Sequence, residues 1–151
     1  MENINAAQAA TELTELKDLE MAGFVEAAKD PLWVWPIVGA LAGAFLASFE
    51  IKSVLLSVIA SIGYVLGIGL LIGTIVRQRG VQPRMSNMPT SLKRIFAFYA
   101  IGVVVLSASI MGVGYGVNWL FAGVAAFVLV TAGGIWYHVT WRNAVDAMVA
   151  A

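Results

Sequence analysis

The chain has no cysteine, a single histidine and few charges. Without thiols there can be no disulfides, thiolate nucleophiles or Cys-ligated metals. His138 alone cannot supply a multi-histidine metal site or a Cys–His pair within one chain. P-loop and GxSxG patterns are missing, as are paired carboxylates at helical spacing in the apolar region. These gaps argue against an enzyme and against a resident metal or cofactor. Charged residues make up 12% of the 151 positions and hydrophobic ones 60%. A soluble fold of this size could not hide that much apolar surface, so lipid is the expected medium.

The few charges are segregated. Before Pro31 stand Glu2, Glu12, Glu15, Asp18, Glu20, Glu26 and Asp30 against Lys17 and Lys29. Beyond it, Glu50 and Asp146 are the remaining acids, and the other basic residues all lie there. The acidic start carries neither a cleavable signal nor a lipidation signal. Residues 1–30 are expected to form a polar leader, helical by composition, with Ala9, Leu13 and Leu16 recurring at three- and four-residue steps. It should end at Asp30–Pro31, because proline disfavours helical geometry in the residue before it.

Four apolar runs follow, at about 32–49, 53–76, 95–117 and 119–141, and none has a charge in its interior. Each can cross a hydrocarbon core of roughly 30 Å. The expected fold class is therefore an all-α membrane protein with four transmembrane helices in two tight hairpins, preceded by a cytoplasmic helix. The transmembrane domain covers 31–142 and a short cytoplasmic tail 143–151. Glu50-Ile51-Lys52 and Asn118 mark the short turns. The connection from Arg77 to Arg94 carries Arg77, Arg79, Arg84, Lys93 and Arg94 with no acid, whereas the opposite turns carry Lys52 alone. The positive-inside rule then puts both termini and this connection in the cytoplasm of a bacterial cell. The same five residues are candidates for lipid headgroup contact, and the acidic leader could dock on them.

Glycines recur at four-residue spacing: Gly39 with Gly43, Gly63 with Gly67, Gly69 with Gly73, and Gly112 with Gly116. Such pairs let helix backbones approach closely. The two pairs in the second span lie on different faces, because moving from 67 to 69 turns a helix by roughly 200°. Packing within the chain, self-association and a lined pore all remain open. Ser57, Ser61 and Tyr64 form a shallow polar stripe on the second span. No ionisable residue sits at mid-membrane, where an ion-coupled transporter usually keeps one. Glu50, at a turn, is expected at the outer interface.

The stretch IWYHVTWR, positions 135–142, places His138 among three large rings and directly before Arg142. Aromatic rings collect at headgroup depth with Lys or Arg just beyond. Trp33, Trp35, Trp136, Tyr137 and Trp141 are accordingly expected as interface anchors, and His138 as a residue of the membrane rim.

DPLWVWP at 30–36, RQRGVQP at 77–83 and WYHVTWRNA at 136–144 give the chain a polar leader, a Pro/Trp-rich first span, a basic central connection and an aromatic-plus-Arg exit. In this it resembles a broad set of uncharacterised small four-helix membrane proteins of actinobacteria. That resemblance implies the architecture and no functional residues. The function expected is that of a non-enzymatic membrane protein acting through helix packing, as an accessory subunit or modulator of a larger assembly. The alternative is a small homo-oligomeric permease or channel for a neutral or lipophilic solute. The expected partners are membrane lipid and a membrane protein or a second copy, with no nucleic acid.

Overall fold

The structure, a computed structural model, describes residues 6–79 and 88–150, with side chains at all of these except 6–10, 13, 16–20 and 79. Arg84 therefore lies outside the described residues, as does the side chain of Arg79. The elements are α1 (Ala6–Ala28), α2 (Val34–Ala47), a 3-10 turn (Ser48–Ile51), α3 (Val54–Arg79), α4 (Thr90–Gly116) and α5 (Trp119–Val149). Four helical stretches, the first being α2 with its 3-10 turn, are long and apolar enough to cross a membrane.

Local chemistry sets the boundaries. α1 stops just before Asp30–Pro31. Pro36 falls in the first turn of α2, where its missing donor has no partner to lose. Asn118 is extended (φ −172°, ψ 142°), and its side-chain oxygen accepts the Leu120 N–H at 2.6 Å, capping α5. Two ends run past the apolar runs. α4 begins at Thr90, so Lys93 and Arg94 ride inside its first turns, and α5 continues to Val149 through the stretch expected as a tail. Hydropathy marks where lipid ends, whereas a helix continues as long as something packs on it. Val145, 1% exposed, is part of that packing.

α5 is the hub. Its most extensive packing is on α2, and α4 and α1 also lie against it, while α3 packs on α2. Hairpin neighbours do pack, but the tightest seam joins the first and last apolar helices. The register is antiparallel: Trp35 sits over Gly134, Gly39 over Thr131, and Gly43 over Gly123. α3 and α4 scarcely touch.

The two ends of the bundle differ. At the turn end, the Trp119 N–H donates to Glu50 Oε2 at 3.0 Å, and the Phe49 and Trp119 rings stand 5.2 Å apart. Glu50 thus satisfies a donor that the start of α5 would otherwise leave open, and its charge suits the positive end of the helix dipole. Glu50→Ala should destabilise the protein by about 1 kcal/mol. Glu50→Gln, which keeps the acceptor, should recover part of that. Thermal unfolding in detergent reads both.

At the leader end, Phe24 and Ala28 of α1 bury against Met88, Leu92, Trp141 and Val145. α5, with 31 residues, is roughly 46 Å long at 1.5 Å per residue. That exceeds a hydrocarbon core of roughly 30 Å, so a helix of this length crossing a bilayer would extend past the core.

Candidate functional site

Three helices meet through rings at the leader end. Trp35 of α2 lies edge-on to Tyr99 of α4 and Tyr137 of α5, each at 6.2 Å, and the two tyrosine rings are 4.3 Å apart. The ring of Trp35 covers Gly134 so closely that a Cβ there would collide with it. Tyr137 continues to Trp141 at 5.7 Å, and Trp141 to Phe24 of α1 at 6.3 Å. A continuous run of aromatic contacts therefore links the leader to the membrane helices.

Beside these rings lies a cavity of about 510 Å³ to which all five helices contribute. Ile68, Leu71, Ile72 and Ile75 of α3 form its apolar wall, with Val34 and Phe96 completing it. Its polar lining is Asp30, Tyr64, Tyr137 and His138, with the rings of Trp35 and Trp141 beside them. Asp30, Tyr137 and His138 each already have an interaction within the protein. Trp141 differs: it is 7% exposed, and its buried Nε1–H has no hydrogen-bond partner among the described residues. A buried donor without an acceptor costs roughly 1–3 kcal/mol.

A second cleft of about 490 Å³ opens between α3 and α4, floored by α2 and α5. Its walls include Phe45, Phe98, Leu106, Ser107, Ile110 and Trp136, and it shares Val38 and Tyr64 with the first cavity. The cleft exists because α3 and α4 are held apart on either side of the α2–α5 seam.

The sequence candidates divide clearly. Gly39 and Gly43 lie in the α2–α5 seam, and Gly67 meets Leu41 of α2. Gly63, Gly69, Gly73, Gly112 and Gly116 have open space where a Cβ would be. Arg77, Lys93 and Arg94 are exposed. Of the five expected interface rings, Trp33 and Trp136 protrude, at 49% and 56% exposure. Trp35 and Tyr137 turn inward onto each other, Tyr99 and Gly134, whereas Trp141 turns inward onto Phe24 of α1. His138 also turns inward, at 7% exposure. The polar stripe on α3 is partly consumed locally: Ser61 donates to the Ser57 carbonyl at 2.7 Å, and Tyr64 stacks on Phe45 at 5.1 Å. Gly123, Gly134 and Thr131 were not singled out by the sequence. The Thr131 hydroxyl is buried without a hydrogen-bond partner among the described residues, where Gly39 presses on it. The small residues Ala122, Gly123 and Ala126 were the available signal on α5.

Four apolar helices of crossing length, with a fifth helix folded over one end, fit a multi-pass membrane protein. No protein-family model, curated protein or solved structure matches the chain.

Proposed function

We propose that this is a non-enzymatic protein of the bacterial cytoplasmic membrane, an accessory subunit or modulator that offers α3 to a transmembrane helix of a partner. The carrying observation is α3 itself. None of its described side chains is buried, it packs chiefly on α2 and the adjoining turn, and Gly69 and Gly73 face open space on the side away from Gly67. A close-approach pair with no helix on it suits a helix supplied from outside the chain. The leader, basic connection and C-terminus are cytoplasmic in this reading, supported by the distribution of Lys and Arg.

A photo-crosslinking residue at Leu66 or Leu70 of α3, in native membranes, tests the role. Recovery of an unrelated membrane protein in fixed ratio is the expected result. Adducts to lipid alone would overturn it. Products of twice the chain's mass, together with solute flux in vesicles, would favour the homo-oligomeric permease, a reading supported by the α3–α4 cleft. Orientation has its own check, helped by the absence of native thiols. Cysteine at position 52 should react with an impermeant maleimide from outside intact cells, and cysteine at position 93 only after permeabilisation.

A further inference from the structure

The leader-end cavity combines three features that no helix-packing role requires. Its volume, like that of the adjoining cleft, falls in the roughly 300–1,000 Å³ range of small-molecule sites. One wall is aliphatic, from Ile68, Ile72 and Ile75, and continues past Tyr64 into the second cleft. Asp30, Tyr137 and His138 place most of its polar lining at the leader end. An occupant that answers all three has a long apolar body and a polar group at one end.

Charge narrows the class. Lys93 precedes the lining residue Phe96 by three positions, and Arg94 precedes Phe98, of the second cleft, by four. On a helix these spacings place each cation one turn outward on the same side as its ring. Both cations are exposed. Asp30, the acid of the lining, is already engaged. We propose that this cavity binds one anionic phospholipid, with an acyl chain along α3 into the α3–α4 cleft and the headgroup charge beside Lys93 and Arg94. This site does not depend on whether α3 also receives a partner helix.

The test uses the full chain, stripped of lipid in detergent and titrated with phosphatidylglycerol or phosphatidylcholine, with native mass spectrometry and thermal unfolding as readouts. One phosphatidylglycerol should be retained per chain, with a raised unfolding midpoint. Phosphatidylcholine should bind at least about fivefold more weakly, as loss of a charge-assisted contact implies. Lys93→Gln with Arg94→Gln removes both cations from exposed positions, and should abolish the preference for phosphatidylglycerol. Ile72→Trp fills the cavity from a position 54% exposed and should abolish the retained lipid. Equal binding of the two lipids would overturn the proposal. So would a spread of stoichiometries indicating annular lipid only, an unchanged lipid preference in the Lys93/Arg94 double variant, or unchanged retention in Ile72→Trp.

Discussion

Gly43→Val is expected to destabilise the protein by about 3 kcal/mol, the upper part of the range for overpacking a close-fitted interior. A Cβ at position 43 would lie 2.7 Å from the Gly123 carbonyl oxygen and 3.1 Å from Phe127 Cβ. From the other side, a Cβ at Gly123 would lie 2.6 Å from the Gly43 carbonyl oxygen and 3.0 Å from Ala47 Cβ. The obstructing atoms are mostly backbone, so nothing yields unless the two helices separate, and separation breaks the most extensive packing in the protein. Gly69→Val and Gly73→Val are the matched comparisons. Both are helical glycines with nothing within 4 Å of the added carbon, and each should change stability by less than about 0.5 kcal/mol. Unfolding midpoints in detergent separate the two groups. If Gly43→Val falls with the α3 variants, the seam is not where stability resides. The α3 changes should register in partner crosslinking.

Phe24→Ala is expected to release α1 without unfolding the membrane helices. Phe24 is 1% exposed and lies among Leu92, Trp141 and Val145, so truncating it leaves a hole worth about 3–5 kcal/mol. That loss falls on the docking of one helix, because α1 packs chiefly on α5. Amide exchange across 21–28 should accelerate by at least about 100-fold, while exchange in α2 and α5 stays near wild type. Neutralising both Lys93 and Arg94 should leave α1 in place. The described contacts of its C-terminal half are apolar, and its Lys29–Glu26 ion pair at 2.8 Å lies within the leader segment itself. A leader released by the charge change and retained in Phe24→Ala would mean that acid–base attraction holds it.

The four apolar helices and both short turns were legible because lipid demands a continuous apolar stretch and a turn demands a break in it. Which helix faces which was not legible. Gly39 and Gly43 announce a close approach but not its partner, and the answering Gly123 sits in a run where small residues are common. The inward turn of Trp141 and His138 was hidden for a related reason. Rings near the end of a span look alike in sequence whether headgroups or a folded-back helix await them, and the leader's register on α5 is a tertiary matter. Glu50 reads as a surface acid until the start of α5 is brought beside it. In each case the residue type was visible and its neighbour was not.

The α2–α5 seam also has a consequence for how the protein is made. During synthesis α2 enters the membrane with its glycine face uncovered, and the surface that fits it belongs to the last helix to emerge. α3 and α4 must both be inserted before Gly43 can meet Gly123, so the decisive contact is among the last to form. Until then the α2–α3 hairpin presents a close-approach face to whatever helices lie nearby, those of the insertion machinery included. A ribosome that stalls before α5 therefore leaves an intermediate that is correctly threaded and still adhesive. Completion of the chain is what closes it.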